Sequence, residues 1–396
     1  MTTTINNEHK KLNVPNLRFP EFQGEWEKFK LSDLCTFFSG GTPSSSNKDF
    51  YGGDIAFIRS GELHADSTEL FISQDGYDNS SAKMVEIGDL LLAMYGATSG
   101  DIAISKIKGA INQAILCIRT NQNKKFIESV WNKHVSKILR KYLQGGQGNL
   151  SADIVKGISF SFPTLEEQER IANLISLLDE RIATQNKIIE DLKKLKCAII
   201  EKHYRQAKLH KYKICDLGVP FSVGSLSKED LSEEGYECIL YGELFTTYSC
   251  VINEVKSHTN KIANTTLSQK GDLLFPSSTT VDAVSLISPS VIDIPNVILG
   301  GDMFGIHIDK KFNAYYLSYY INLIARKKLA IYAKGSTIIH LHYKDIAKAQ
   351  LLLPDLCEQD KIAKCMMAED AKIKVEEQLL TILEKQKQYL LRQMFI

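Results

Sequence analysis

Three constellations in this 396-residue sequence have residue types that could do chemistry. Pro354-Asp355 with Asp370-Ala-Lys372 offers two carboxylates and a lysine, a loose match to a nuclease pattern in which the carboxylates hold a metal ion. All of them fall on or beside a long heptad pattern, whereas such a site needs carboxylates converging from neighbouring strands. His340-Leu-His342 can place two imidazoles on one face of a strand, the beginning of a zinc site. No cysteine or third histidine stands nearby, so an exposed polar edge or a nucleic-acid contact accounts for the pair better. Phe38-Ser-Gly-Gly-Thr42 looks like the glycine-rich loop of methyltransferases, but its spacing is wrong and no Asn/Asp-Pro-Pro-aromatic tetrapeptide follows. A Gly-x-x-x-x-Gly-Lys-Ser/Thr phosphate loop is absent from the sequence, which argues against ATP hydrolysis. Eight cysteines, at 35, 117, 197, 215, 238, 250, 357 and 365, form no C-x-x-C pair and read as reduced, packed thiols. The expectation is a chain with no catalytic residue, metal or cofactor of its own.

Loops dense in small donors and acceptors are the richer signal. Gly40-Gly-Thr-Pro-Ser-Ser-Ser46 supplies Gly41, Thr42 and Ser44; Tyr95-Gly-Ala-Thr-Ser99 supplies Tyr95, Gly96 and Thr98. Gln144-Gly-Gly-Gln-Gly-Asn149 supplies Gln144, Gln147 and Asn149. Ser277-Ser-Thr-Thr280 supplies Ser277, Ser278 and Thr279, and Lys334-Gly-Ser-Thr337 supplies Lys334, Ser336 and Thr337, with His340 and His342 just beyond. Backbone amides and short hydroxyls in such loops can meet phosphates, and Gln or Asn can read an adenine edge with two hydrogen bonds. Basic clusters precede two of the glycine turns: Lys124-Lys125 with Lys137, Arg140 and Lys141, and Arg326-Lys-Lys328 with Lys334. A solvated helix face explains one such cluster; two at corresponding places suit phosphate contacts.

The correspondence comes from a duplication. Gly88-Asp-Leu-Leu-Leu92 returns as Gly271-Asp-Leu-Leu-Phe275, a shift of 183, and Pro163-Thr-Leu-Glu-Glu-Gln168 returns as Pro354-Asp-Leu-Cys-Glu-Gln359, a shift of 191. Ile58-Arg-Ser-Gly-Glu-Leu63 returns as Ile239-Leu-Tyr-Gly-Glu-Leu244, which adds Arg59, Glu62, Tyr241 and Glu243 to the candidate contacts. A near-constant shift over this length marks a duplicated domain, far larger than a solenoid unit. Residues 54–58, 89–93 and 114–118 are short apolar runs suited to buried strands, and Phe126–Leu143 and Asn313–Ala333 have helical spacing.

Each half ends in a long helix. Thr164 with Glu167, and Asp355 with Glu358, are spaced as capping boxes in which side chain and amide bond reciprocally. Ile171, Ile175, Leu178, Ile182, Gln185, Ile189, Leu192, Lys196 and Ile199 alternate steps of four and three. Ile362, Met366, Glu369, Ile373, Glu376, Leu380, Leu383, Lys387 and Leu390 repeat them in the second half. Sustained heptads with charged flanks favour a coiled coil over two helices that each pack only on their own domain. The boundaries that follow are a first domain at 1–163, a long helix at 164–207, a second domain at 208–354 and a second long helix at 355–396. Net charge of +1 gives no bulk support for nucleic-acid binding, so local patches must carry it. The N-terminal residues Met1–Lys11 lack the apolar core of a signal peptide and no run reaches the length of a membrane span, so a cytoplasmic location is expected.

These residues resemble the specificity (S) subunit of bacterial type I restriction-modification enzymes. The marks are Val14-Pro-Asn-Leu-Arg-Phe-Pro20 leading to Trp26, Ser39-Gly-Gly-Thr-Pro43, Gly88-Asp-Leu-Leu-Leu-Ala-Met-Tyr-Gly-Ala-Thr98, Asn112-Gln113, and above all Phe162-Pro-Thr-Leu-Glu-Glu-Gln-Glu-Arg-Ile-Ala172 with its repeat Leu353-Pro-Asp-Leu-Cys-Glu-Gln-Asp-Lys-Ile-Ala363. The resemblance implies an α+β fold: two duplicated target-recognition domains joined by two long antiparallel coiled-coil helices. It implies a DNA-binding subunit that directs restriction and adenine methylation to a bipartite asymmetric site. Two modification subunits would bring S-adenosylmethionine, and two restriction subunits ATP and Mg2+. The second half departs from the pattern where Ser277-Ser-Thr-Thr280 replaces Tyr95-Gly-Ala-Thr98. Two rival readings are a stand-alone nuclease or methyltransferase with a degenerate site, and a coiled-coil scaffold that never touches nucleic acid.

Overall fold

The computed structural model of the chain describes residues 13–142 and 150–396. Two units emerge, one from the chain up to Asn186 together with Leu379–Ile396, the other from Lys187–Gln378. In the first unit an antiparallel sheet runs in the order Cys35–Ser39, Ile115–Thr120, Leu90–Ala93, Ile102–Ile104. A second sheet orders Phe71–Ile72, Tyr51–Ile58, Gly109–Ile111 and Lys83–Val85, its central pair parallel. The unbroken apolar run Leu90–Ala93 is explained by its central place. Leu90 and Leu92 face a core with Trp26, Phe126 and Trp131, while Leu91 and Ala93 face another with Ile58, Val85 and Ile111.

The second unit repeats this plan. Gly218–Ser222, Met303–Ile308, Asp272–Pro276 and Ser290–Ile292 stand in the same order, with Val251–Ile252 added at the edge. Leu273 and Phe275 enter one core and Leu274 the other. The helix expected over Phe126–Leu143 spans Lys124–Tyr142. Its counterpart differs: between Ala314–Tyr320 and Arg326–Ala330 the turns widen into a π-helix, Ile321–Ala325. The Asn322 side chain donates to the Ser318 carbonyl, which an unbroken α-helix would give to the Asn322 backbone amide, and also to the Pro289 carbonyl.

The two long helices are Leu165–Gln206 and Leu356–Met394, each about 60 Å long at ~1.5 Å per residue. All eighteen seam positions read from the heptads are buried or half-buried. In the first unit Ile175 shares a core with Leu391 and Met394, and Asp179 accepts from Lys387 at 2.5 Å and Lys125 at 2.8 Å. In the second, Asp370, the repeat partner of Asp179, accepts from Lys196, the repeat partner of Lys387, and from the Tyr319 hydroxyl at 2.6 Å. Lys193 meets Glu377 at 2.7 Å. Rising numbers on one helix thus meet falling numbers on the other, the antiparallel sense.

The helix starts depart from the capping-box expectation. Thr164 Oγ1 and Asp355 Oδ1 do accept from the amides of Glu167 and Glu358, at 3.4 and 3.0 Å. Neither carboxylate completes a reciprocal box. Glu167, almost fully buried, takes both Arg18 nitrogens at 2.7 Å and the Trp26 indole at 3.3 Å, and Glu358 takes Lys361. An arginine fork outcompetes a backbone amide for a buried carboxylate because it neutralises the charge as well as donating two bonds. The same N-terminal segment ties down the end of the second long helix, with Leu17 N donating to Gln393 O at 3.0 Å.

The glutamine that closes each Pro-to-Gln motif is buried and repeats one set of bonds. Gln168 Nε2 donates to Pro163 O and to Gln122, while its Oε1 accepts from Asn123 N at 3.2 Å. Gln359 Nε2 donates to Pro354 O, and its Oε1 accepts from Asn313 N at 2.9 Å. Asn123 and Asn313 are the residues whose side chains cap the two domain helices, accepting from Phe126 N and Tyr316 N.

The buried aspartate of each Gly-Asp pair has a different partner. Burial works against Asp89, but Arg119, the Glu86 amide and Lys124 hold its carboxyl below the usual range. Asp272 sits 2.6 Å from His307 Nδ1 and burial wins, raising it. Stabilisation from Asp89 is therefore present above the ordinary carboxylate pKa and lost as pH falls through its depressed value. That from Asp272 is full below the ordinary value and lost as pH rises through its raised one. Melting-temperature changes caused by Asp89→Asn and Asp272→Asn should move in opposite directions across the carboxylate range, the first growing more harmful with rising pH and the second less so; parallel curves would contradict this. Leu192→Lys, which puts an ammonium into the seam, should cost at least about 2 kcal/mol of unfolding free energy. An unchanged denaturation midpoint would refute the seam.

Candidate nucleic-acid interface

In the first unit the small-residue loops meet at Met94. Its amide donates to Ala114 O at 2.8 Å, and its carbonyl accepts from Leu150 N at 3.0 Å and from the Ser99 hydroxyl. Thr42 Oγ1 donates to Gln113 Oε1 at 2.5 Å, which brings the Gly40–Ser46 turn to the same place. Gly41 is buried against Ser81, where any side chain would collide. Ile58 pairs with Ile111, setting Arg59 beside the Asn112–Ala114 loop. Tyr95 is half-buried against the core and Gly96–Thr98 form a single tight turn. Gln144, Gln147 and Asn149 lie outside the described residues; Leu150, the first described residue after them, is bonded to Met94 at the junction.

The second unit builds the same junction from other side chains. Ser277, the repeat partner of Met94, donates its amide to Asp302 O at 2.8 Å and accepts from Leu341 N at 2.8 Å. Gly301 N donates to Gly224 O, the position equivalent to Gly41. Lys334 and His340 exchange two backbone bonds, at 2.9 and 2.7 Å, closing a hairpin whose tip is Gly335–Ile338. Gly335 has φ +124°, and a side chain there would strike Ile338 O. Ser278 and Thr279 pair with His340 and Ile339, so two of the loops singled out in the sequence become neighbouring strands.

Several candidates prove already engaged. Glu62 accepts from the Arg59 amide and side chain and from the Thr68 hydroxyl, and Arg59 holds its carboxyl below the usual range. Glu243 does the same work, accepting from Leu240 N at 2.7 Å and Ser257 Oγ at 2.6 Å. Both brace the turn that follows a strand. Tyr241 flanks Gly301 at the junction. Ser277 and Ser278 are buried, which leaves Thr280, Ser336 and Thr337 as the exposed hydroxyls there, with Thr279 half-buried; Ser44, on the first junction's turn, is exposed. Arg326 donates to the carbonyls of Val284 and Ser285, so the solvent-facing cations of its cluster are Lys327 and Lys328. Lys137 and Arg140 are exposed on a helix whose Trp131 bonds Gly100 behind the Tyr95 loop. Lys334 is paired with Asp345 at 2.5 Å, which holds that carboxyl down. His340 and His342 are exposed, their rings stacked 6.2 Å apart. Among the described residues no three His, Cys, Asp or Glu side chains are grouped to hold a metal ion, and no helix is long and apolar enough to cross a membrane. Gln113 is the contact candidate that loop composition did not single out, because a lone glutamine after a strand carries no spacing signal.

The family model for the type I restriction modification DNA specificity domain matches twice, at residues 23–194 and 208–385. A Methanocaldococcus jannaschii protein described as the MjaX type I restriction enzyme specificity subunit is 25% identical over 414 aligned positions, covering 96% of this chain and 95% of its own. The Escherichia coli EcoR124I/EcoR124II specificity subunit is 27% identical over 206 positions, 48% of this chain and 50% of that one. Among solved structures, the type I S subunit of M. genitalium superposes with a TM-score of 0.63 at 15% identity, over 97% of this chain and 99% of its own. A chain from a study of complex assembly in the type I R-M system gives 0.56 at 15% identity, over 92% and 96%. Likeness at such identity speaks for the fold, and the double family match agrees with the junction built twice. The chain belongs to the type I restriction modification DNA specificity family.

Proposed function

We propose that this chain is the DNA-reading subunit of a type I system, that it carries no catalytic group, and that it directs adenine methylation and restriction to a bipartite asymmetric site. The observation that carries this reading is the repeated junction: Met94 and Ser277 hold the same backbone bonds while presenting different neighbouring side chains. Two equivalent frames with different chemistry are what reading two unlike half-sites requires. Residues 1–163 and 208–354 serve as the recognition domains, and the helices set the unread spacing between half-sites. S-adenosylmethionine, ATP and Mg2+ belong to partners, two modification and two restriction subunits, in the cytoplasm.

Partner docking has support on the outer faces of the long helices. Leu177, Ile188 and Leu195 on one, spaced by 11 and 7 residues, and Val375, Ile382 and Tyr389 on the other, spaced by 7, are exposed at positions that the seam does not use. Modification subunits placed there would bury these stripes.

Replacing residues of about 30–150 with the corresponding segment of another family member should rewrite one half of the methylated sequence and leave the other intact. Simultaneous change of both halves would show that the domains do not read independently. Lys137→Ala should weaken binding of all sequences alike and reduce the salt slope by about 1. A sequence-selective loss would instead make Lys137 a base contact. Turnover by the purified chain with only metal or S-adenosylmethionine, lost in Asp355, Asp370 or Lys372 variants, would support the enzyme reading instead.

A further inference from the structure

Beside the second junction lies a patch that hydroxyls and lysines do not explain. Val281, Ile331 and Ile338 are 73%, 75% and 50% exposed, and Val284 is 38% exposed. All four sit on segments that are bonded together. Val281 closely follows the strand Ser278–Thr279, which pairs with Ile339–His340 just beyond Ile338. Val284 lies in the turn Ala283–Leu286, pinned by Arg326 to the helix that Ile331 follows. Single exposed aliphatic residues are ordinary, but four on adjoining elements call for an occupant.

The surroundings narrow its chemistry. Lys327, Lys328, Ser336, Thr337 and His340 are exposed around the patch, a cationic and hydrogen-bonding rim suited to DNA. Phosphate oxygens give nothing to a branched aliphatic side chain, and contacts to sugar carbons carry no sequence information. In the major groove the methyl group on a base edge is the C5 methyl of thymine, and apolar side chains read it. Valine is a poor anchor in protein interfaces, where aromatic residues and arginine dominate. Among the described residues no exposed large aliphatic side chain adjoins the Met94 junction, and residues 144–149 include none in their sequence.

We propose that Ile338 and Val281 contact thymine methyl groups in the half-site read by the second domain, so that this half is recognised partly by apolar contact. The proposal rests on the DNA-reading function above. Its test uses the complete complex with its modification subunits and a duplex carrying the methylated sequence. Each thymine of the second half-site is replaced in turn by deoxyuridine, which removes the methyl and leaves every hydrogen-bonding edge unchanged. At least one replacement should weaken binding about fourfold, the cost of one buried methyl, and that thymine-to-uracil ratio should fall to near one in Ile338→Ala or Val281→Ala. Indifference to every replacement, or a ratio unchanged in both variants, overturns the proposal while leaving DNA reading intact. Failure of the complex to assemble in Ile338→Ser, with the ratio unchanged in the alanine variants, would assign the patch to a protein partner and overturn it too. A complex that recognises no sequence at all removes the underlying function and the proposal with it.

Discussion

One buried primary amide at the head of each long helix couples that helix to a helix of the neighbouring domain. Gln168 and Gln359 each donate to the proline carbonyl of their own motif and accept from the backbone amide of the asparagine that caps a domain helix. An amide is the side chain for this position because it carries donor and acceptor on one rigid plane. Glutamate would lose the donor and bury a charge; leucine would leave a buried backbone amide unpaired. The start of the domain helix is therefore tied to the start of the long helix.

The junction loops show how divergence was confined. Residues 94 and 277 keep their backbone bonds although one is methionine and the other serine, because a frame made of main-chain N–H and C=O groups is indifferent to side-chain identity. Deeper in the sheet even a buried charge was allowed to change partner, Arg119 for Asp89 in one half and His307 for Asp272 in the other. Arginine keeps its charge at any ordinary pH, whereas a histidine beside a buried carboxylate leaves that carboxylate exposed to the cost of desolvation. The two halves share a fold, but the equivalent carboxyl is held below its usual range in one and raised by burial in the other.

Much of the architecture was legible in the sequence because it rests on local, periodic signals. The heptads gave the seam, the shifted motifs gave the duplication, and the apolar runs at 54–58, 89–93 and 114–118 fall within or across the strands Tyr51–Ile58, Leu90–Ala93 and Ile115–Thr120. What escaped depends on partners far along the chain. Glu167 was spaced to cap its own helix, yet Arg18 claims it from 149 residues away. Arg326 looked like a free cation until the turn at Val284 was seen to take its donors. The π-helix at Ile321–Ala325 follows from one asparagine that finds Pro289, which no periodicity announces. Among the loops offered as candidate contacts, composition does not tell which hydroxyls are buried, as Ser277 and Ser278 are.

The central claim is that two separately framed surfaces on one chain each read part of a single DNA site. Methylome sequencing of a host lacking other methyltransferases, expressing this chain with its modification subunits, tests it most directly. One motif is expected, made of two unlike half-sequences separated by a fixed run of unread bases, with a methylated adenine in each half. A continuous motif, a palindrome of two identical halves, or methylation that persists when this chain is omitted would contradict the account.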